Sequence, residues 1–212
     1  MTASDIFDRL FTDYPALNEC KESISTAFTL LSECARADAK VLVCGNGGSA
    51  ADSEHIVGEL MKGFLLKRPL SDEQKKLFAD IEGGEEIADK LQCGIKAISL
   101  VSQSGVISAF ANDIDASLVF AQQVFAYADK KDDVLIALST SGNSDNIVKA
   151  AKTAKAAGIK TIAITGANDS KLSDIADCTI KLPSTQTYQI QEYTLPVYHA
   201  LCAMLEADMF TL

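Results

Sequence analysis

The chain has 212 residues, of which 48% are hydrophobic and 23% charged, the composition of an ordinary folded domain with a core of its own. Its 19 basic and 29 acidic residues give a net charge of −10, which disfavours binding to nucleic acid or to an anionic membrane surface. Mean hydropathy is +0.11, and no apolar run approaches the roughly 18 residues of a membrane span. The acidic, amphipathic N-terminus is unlike a secretory signal, so we expect a cytoplasmic protein.

The six cysteines are scattered and form no C-x-x-C pair, and most of them have apolar neighbours. This pattern is unlike a disulfide framework or a zinc knuckle. It predicts reduced thiols packed in the core at Cys20, Cys34, Cys44, Cys93, Cys178 and Cys202.

Hydrophobic periodicity predicts alternating helices and strands. Apolar residues at helical spacing predict a long leading helix from Ala16 to Arg36. Short apolar runs followed by loop residues predict buried strands at 40–44, 97–100, 134–138, 161–165 and 178–182. Helices are predicted at 50–60, 145–157 and 190–209. Such alternation is typical of a parallel sheet with helices on both faces.

Residues 70–93 interrupt this alternation within what we otherwise expect to be a single domain spanning 1–212. The segment is highly charged, contains Gly83-Gly84, and is far longer than the usual connection between a helix and a strand. We predict an inserted helical hairpin. Two roles remain open for it: a solvated surface excursion, or a lid or subunit contact.

Two loops of unusual composition are expected to meet at the carboxyl edge of the sheet, where ligands bind in such folds. The loop at 45–50 has few side chains to keep a ligand from the backbone, and it offers Asn46 and Ser49 as hydrogen-bonding groups. The loop at 139–144 places four hydroxyls at the start of a helix near Asp145. Backbone N–H groups and the helix dipole favour an anion there, so we predict a phosphate site. Ordinary N-capping is the alternative.

The first loop also matches a relaxed dinucleotide pattern, G-x-G-x-x-A, at Gly45, Gly47 and Ala50. A dinucleotide site requires an acidic residue about 20 positions further on. The corresponding region, 62–69, contains no acidic residue. The sequence therefore disfavours NAD binding.

The chain has only two histidines. His55 lies four residues before Glu59, so on a helix the two side chains share a face and could bind a metal or transfer protons. His199 lies eight residues after Gln191 in the predicted last helix. Together with the two loops, these residues point to a reactive site.

In this order, the segments closely resemble the phosphoheptose isomerase family of SIS (sugar isomerase) domain proteins. The matching segments span nearly the whole chain: Cys44–Asp52 with His55 and Glu59, Ala111–Asp113, Ser139–Ser144, and Ile190–Glu192 with His199. The resemblance implies an α/β three-layer αβα sandwich of flavodoxin-like type with a five-stranded parallel sheet. It also implies a homotetramer with active sites between subunits.

The same resemblance implies the site residues. One zinc ion per site is implied at His55, Glu59, Gln191 and His199. Contacts with a phosphosugar are implied for Asn46, Gly47, Gly48, Ser49, Asn112, Asp113, Ser139, Thr140, Ser141, Ser144 and Gln191. Glu59 would act as base and His199 as acid in converting sedoheptulose 7-phosphate to D-glycero-D-manno-heptose 7-phosphate through an enediolate.

The spacing of Gln191 and His199 bears on this ligand set. On one continuous helix, eight residues place them about 12 Å apart, and zinc ligands must lie about 2 Å from the ion. Either Gln191 precedes the regular helix, or the two residues come from different subunits. We predict the second arrangement.

Two other classes remain open. Some noncatalytic SIS-domain proteins bind the bacterial replication initiator, and they tend to lack the histidine that matches His199. The presence of His199 therefore favours an enzyme. A module that senses sugar phosphates would bind the ligand without turnover.

Overall fold

A computed structural model of the chain describes residues 1–210. Within that range, the strands are Val41–Cys44 (β1), Ala97–Ser99 (β2), Val134–Leu138 (β3), Lys160–Thr165 (β4) and Cys178–Lys181 (β5). The α-helices are Ala3–Asp13 (α1), Lys21–Arg36 (α2), Gly48–Met61 (α3), Asp72–Lys76 (α4), Gly84–Lys90 (α5), Ser104–Phe110 (α6), Val119–Tyr127 (α7), Asp145–Ala157 (α8) and Thr187–Phe210 (α9). All predicted strands are present, each within one residue of its predicted ends.

The five strands form one parallel sheet in the order β2-β1-β3-β4-β5, which confirms the predicted fold class. Strand β1 pairs with β2 on one side and with β3 on the other, so the chain changes direction across the sheet between β1 and β3. This switch point is where doubly wound sheets open a crevice at the carboxyl ends of their strands. The loops that follow β1 and β3 both lie there.

Alternate residues of each strand face opposite helical layers, as the two-residue period of a strand requires. Val41 and Val43 belong to a core with α1, α2, α3 and α9. Leu42 and Cys44 belong to a second core, with α7 and α8. Burial on both faces explains why the strands read as continuous apolar runs.

The predicted leading helix, Ala16 to Arg36, begins too early. Residues Pro15–Cys20 form a 3₁₀-helix, and the α-helix starts at Lys21. The side chain of Asn18 donates to the Pro15 carbonyl (2.8 Å), a local bond that competes with the backbone bonds of an α-helix. The structure also adds helix α1, whose start is closed by a capping box between Thr2 and Asp5.

The segment predicted as an inserted hairpin contains two short helices, α4 and α5, which are joined by an ion pair between Lys75 and Asp89 (2.6 Å). An antiparallel bridge between Pro69 and Gln92 closes its base. The hairpin also contains a surface cavity of about 750 Å³, lined by residues from Asp72 to Asp89. Because both loops of the switch point lie outside it, cavity size alone does not locate the candidate site.

Helix α9 is continuous over 24 residues and contains Pro196 within its length. It packs against α3, and both helices run in the same direction: Gly48 lies beside Gln191, and His55 lies beside Tyr198 further along. No helix in residues 1–210 combines the length and apolar character needed to cross a bilayer.

All six cysteines are free thiols, as predicted. Five are buried as predicted, but the predicted core position is wrong for Cys93, which is partly exposed because it follows Gln92 at the base of the hairpin. Burial raises the pKa of Cys44 and of Cys202 to about 12. These thiols therefore behave as small apolar core residues.

Candidate active site

The glycine loop after β1 brings backbone close to the start of α9. Gly47 has φ of +58°, a conformation that side-chain-bearing residues rarely adopt. A Cβ atom at Gly48 would lie 2.5 Å from Nε2 of Gln191. The loop thus needs glycine at position 47 for its turn and at position 48 for its approach to Gln191. All three residues were predicted to bind substrate.

The amides of Asn46 and Asn146 connect the two loops. Each Nδ2 donates to the Oδ1 of the other, with both distances 2.9 Å. Asn46 was expected from the sequence to lie in the site, but Asn146 was not. Its position inside α8 carries no local signal, because the partner is 100 residues away in the chain.

The loop Ser139–Ser144 leaves the start of α8 available to an anion. Ser144 is the N-cap residue, yet its side chain makes no capping hydrogen bond; its hydroxyl instead accepts from Ser139 (3.2 Å). Among the described residues, no backbone carbonyl accepts from the N–H groups of Asp145 and Asn146. Free N–H groups at the positive end of a helix are the features of a phosphate site.

A cleft of about 270 Å³ opens beside this loop. Thr140 and Ser141 line one side, and Thr187 and Ile190 from the start of α9 line another. The predicted phosphate loop and the start of α9 thus line one concave surface. This first group of predicted residues will be called the loop cluster: Asn46, Gly47, Gly48, Ser49, Ser139, Thr140, Ser141, Ser144 and Gln191.

A second group, the helix cluster of His55, Glu59 and His199, lies where α3 and α9 pack together. Nε2 of His55 lies 3.2 Å from Oε1 of Glu59. The rings of His55 and His199 are 5.0 Å apart, centroid to centroid, and nearly perpendicular. The carboxylate of Glu59 also accepts from Nζ of Lys62 (3.2 Å).

The ring of His199 is less fully hydrogen-bonded than that of His55, both of whose nitrogens have partners. Nε2 of His199 is buried and has no hydrogen-bond partner within residues 1–210. Burial, together with the neighbouring His55, lowers the pKa of His199 below its ordinary value, against an opposing effect of Glu59. His199 is therefore biased toward the neutral ring, whose free nitrogen can bind a metal or exchange a proton.

Two residues that the sequence analysis missed support His55. The hydroxyl of Tyr198 lies 2.9 Å from Nδ1 of His55 and 3.4 Å from a carboxylate oxygen of Asp52. Burial raises the pKa of Tyr198 above its ordinary value, so the phenol stays protonated. The sequence analysis did not single out Tyr198, because only the pairing of α3 with α9 gives it this role.

The two clusters are separate within one chain. Glu59 lies ten residues beyond Ser49 on α3, about 15 Å along the helix axis, and His199 lies about 12 Å beyond Gln191 on α9. Because α9 is continuous through both residues, Gln191 does not precede the regular helix. The alternative arrangement, with Gln191 and His199 in different subunits, stays a prediction.

Asn112 and Asp113 lie in a π-helical turn after α6. Their side chains bond to each other, Nδ2 to Oδ1 at 2.8 Å. In the described part of the chain, no hydrogen bond joins them to either cluster.

Zinc fits the chemistry of the helix cluster. Imidazole nitrogen and carboxylate oxygen are ligands that zinc prefers, and Nε2 of His199 lacks a partner. Yet over residues 1–210 no three His, Cys, Asp or Glu side chains are arranged to hold an ion. His55 and Glu59 are instead turned toward each other.

A protein-family model for the SIS domain matches residues 15–98 and 92–166 of this chain. The matched segments cover more than half of the chain and include both switch-point loops with helices α3 and α8. The fold and the loops therefore define a SIS-domain protein.

Similar proteins identify the family within the SIS-domain proteins to which the chain belongs. A phosphoheptose isomerase from Rhodospirillum rubrum is 36% identical over 205 residues, 97% of this chain and 92% of its own length. The structure of a phosphoheptose isomerase from Francisella tularensis superposes with a TM-score of 0.73 at 28% identity, covering 97% of this chain and 98% of that one. The enzyme from Neisseria gonorrhoeae gives 0.69 at 28% identity, covering 93% and 98%. The chain belongs to the phosphoheptose isomerase family.

Proposed function

We propose that the protein is a sugar-phosphate isomerase that interconverts D-sedoheptulose 7-phosphate and D-glycero-D-manno-heptose 7-phosphate. The observation that carries the proposal is the helix cluster, where the carboxylate of Glu59 lies beside two imidazoles, one with an unpartnered nitrogen. Family membership supports the same reaction, because the relatives are named phosphoheptose isomerases.

The reaction needs two proton-transfer groups. Moving the carbonyl between C2 and C1 removes a proton from one carbon, returns a proton to the other, and passes through an enediolate. Glu59 is the proposed base: its side chain is only 12% exposed, so few waters compete for its carboxylate. His199 is the proposed partner that moves a proton at the substrate oxygen.

The loop cluster is proposed to bind the other end of the substrate. The hydroxyls of Ser139, Ser141 and Ser144 surround the start of α8, where the phosphate would accept hydrogen bonds from them and from the free N–H groups. Asn46 and Gln191 would bond the sugar hydroxyls. Asn112 and Asp113 stay in this proposal on the family resemblance alone.

We further propose that each active site combines the helix cluster of one subunit with the loop cluster of another, in a homotetramer. The proposed base and acid lie about 12 to 15 Å along α3 and α9 from Ser49 and Gln191 of the loop cluster, which favours a site shared by two subunits. Subunit contact is also consistent with the exposed apolar side chains Met61, Leu65 and Leu195 beside the helix cluster.

A zinc ion would be held by His55, Glu59 and His199, with Gln191 supplied by another subunit. When bound, it would polarise the carbonyl and enediolate oxygens of the substrate. A ring nitrogen that binds zinc cannot transfer a proton at the same time, so the metal and acid roles of His199 require different states of the site.

An assay for conversion of the ketose phosphate to the aldose phosphate tests the proposal. The protein is incubated with sedoheptulose 7-phosphate in deuterated water, with and without added zinc, and the aldose is sought by NMR. We expect the aldose to form with solvent deuterium at the carbon that receives the proton, and activity to fall strongly in both Glu59→Gln and His199→Ala. Binding without turnover would favour the sensing module, and unchanged activity in both variants would remove the assignment.

A further inference from the structure

A buried ion pair closes the far end of the α3–α9 contact, next to the helix cluster. Arg68 and Glu206 are each only 1% exposed, and Nε of Arg68 lies 2.8 Å from Oε1 of Glu206. The two residues are separated by 138 positions in the sequence. Such a pair needs a reason other than stability, since apolar side chains of the same volume are often equally stable in its place.

The carboxylate of Glu206 organises the chain segment that follows α3. It accepts the N–H groups of Phe64 (2.7 Å), Leu65 (2.6 Å) and Leu66 (2.9 Å), in addition to Arg68. Four donors fill the accepting capacity of an ionised carboxylate. The conformation of residues 64–66 is therefore set by one side chain of α9.

Besides its bond to Glu206, the guanidinium of Arg68 contacts the last turn of α3. Nη1 donates to the carbonyl of Leu60 (2.7 Å), and Nη2 donates to the carbonyl of Glu59 (3.2 Å). Carbonyls in this turn have no partner further along the helix, so the arginine fork closes the helix end. One of the two carbonyls belongs to the proposed catalytic base.

The same segment reaches the second proton-transfer residue. Phe64, whose N–H is held by Glu206, packs its ring against His199 at 5.5 Å between centroids, tilted by 41°. Glu59 is thus held through its backbone, and His199 is held through the face of its ring. Both links end at the same ion pair.

We propose that Arg68 and Glu206 are positioning residues for the isomerisation, which together fix the relative placement of Glu59 and His199. The inference rests on the proposed function in naming what is positioned. Neither residue touches the reacting atoms. A displacement of about 1 Å between reacting groups can cost about a hundredfold in rate, so a device that locks two helices at this point affects catalysis directly.

The chain offers a matched control at the other end of the sheet. Asp133 is fully buried and accepts the N–H groups of Lys40 (2.7 Å), Asp129 (3.0 Å) and Lys130 (3.1 Å). Like Glu206, it is a buried carboxylate that organises a loop. Unlike Glu206, it lies just before β3, at the amino end of the sheet.

The experiment compares Glu206→Gln, Arg68→Lys and Asp133→Asn, each assayed below its own unfolding temperature. We expect all three to lower Tm. Only the first two should lower kcat, by about tenfold or more with KM nearly unchanged, because substrate contacts are left intact. Lysine keeps the charge of Arg68, but it cannot bond two carbonyls as the guanidinium does. Keeping the charge in Arg68→Lys should therefore not preserve kcat.

A spectroscopic measurement separates this inference from the proposed function. With two histidines in the chain, the ring protons of His199 are identified by comparison with His55→Ala in metal-free protein. We expect the His199 signal to shift in Glu206→Gln and Arg68→Lys, because its place over the Phe64 ring changes, and to stay in Asp133→Asn. An unmoved signal, or a kcat loss equal to that of Asp133→Asn, would overturn the inference. Absence of turnover in the wild type would overturn the proposed function and leave the NMR comparison decisive for positioning.

Discussion

Asn46 and Asn146 form a reciprocal amide pair that spans the switch point of the sheet, each donating one hydrogen bond of 2.9 Å to the other. One residue belongs to the loop after β1 and the other to the first turn of α8, which follows the loop after β3. The pair therefore fixes the distance between the two loops. We propose that the loop after β1 binds the sugar hydroxyls and that the loop after β3 binds the phosphate.

Replacing Asn146 with Ala should raise KM for the phosphosugar about fivefold with little change in kcat. Two hydrogen bonds between partly exposed groups are lost, each contributing about 1 kcal/mol or less. Steady-state kinetics with sedoheptulose 7-phosphate measure the effect. Asn18→Ala, which removes an exposed side-chain bond to the Pro15 carbonyl, is the control and should leave KM unchanged. Equal KM values for the two variants would refute a role for the amide pair in binding.

Replacing Ser141 or Ser144 with Ala should raise KM about tenfold, because a hydrogen bond to a charged phosphate contributes ~1.5 kcal/mol or more. Inorganic phosphate should compete with substrate in the wild type and less well in either variant. Ser108→Ala is the control, since its hydroxyl bonds only within α6 and its own turn. A phosphate found beside the exposed Lys67 instead would contradict this placement.

Mixing two impaired variants should restore activity at low substrate concentration if sites are composite. His55 and His199 lie together in one chain, so the two variants must differ in which cluster they alter. One is the double variant Ser141→Ala/Ser144→Ala, and the other is His199→Ala. After subunit exchange at equal amounts, about a quarter of the sites should combine an intact loop cluster with an intact helix cluster. Exchange shown by mass spectrometry without recovered activity would mean that each chain builds its site alone.

The stability contributed by Glu206 should depend on pH in a defined direction. Burial raises the pKa of this carboxyl, but the N–H groups of Phe64 and Leu65 and the charge of Arg68 outweigh it, so the folded-state pKa lies below the ordinary 4.5. The contribution is therefore complete above pH 4.5 and is lost as the pH falls through the folded-state value. Near neutral pH, Glu206→Gln should cost about 3 kcal/mol in the free energy of unfolding, since it leaves Arg68 buried without its partner.

Urea denaturation of the wild type and of Glu206→Gln at several pH values measures this difference. We expect the gap between the two proteins to narrow as the pH falls below 4.5. The carboxyl of the unfolded chain takes up a proton first, and that of the folded protein follows only below its own, lower pKa. A gap that stays constant across this range would show that folding does not lower the pKa of Glu206.

Thiol modification should be confined to Cys93 in the native protein. The other five thiols are buried, and burial raises the pKa of Cys20 and Cys178 to about 11. Iodoacetamide at mildly alkaline pH should therefore add one group per chain by mass spectrometry, and more only after denaturation. Cys93→Ser, as the control, should take up none while folded.

Much of the fold could be predicted from the sequence, because strands buried on both faces produce continuous apolar runs that stand out locally. Strand β3 matches its predicted range residue for residue. The boundary at Lys21 could not be predicted, since Ala16 and the residues after it have helical spacing in either kind of helix. Hydrogen bonding within one turn decided between them.

The candidate site divides in the same way. The glycine loop and the serine loop are local patterns, and the pair His55–Glu59 follows from helical spacing. The other residues act through partners that are far away in the chain: one hundred positions for Asn146, and more than a hundred for Tyr198, Arg68 and Glu206. No pattern within a window of the sequence marks such residues. The pairing of β1 with β3 brings Asn146 to Asn46, and the packing of α3 on α9 brings the other three residues to the site.

The parallel course of α3 and α9 makes chain length as important as residue identity. Gly48 lies beside Gln191 and His55 lies beside Tyr198, so the two contacts are seven residues apart on both helices. One residue inserted between these contacts in either helix would rotate everything beyond it by about 100° and turn His55 or His199 away from the cluster. Between Pro69 and Gln92, whose bridge closes the hairpin, length can change without disturbing this register. Insertions and deletions in related chains should therefore concentrate in that hairpin and avoid both helices.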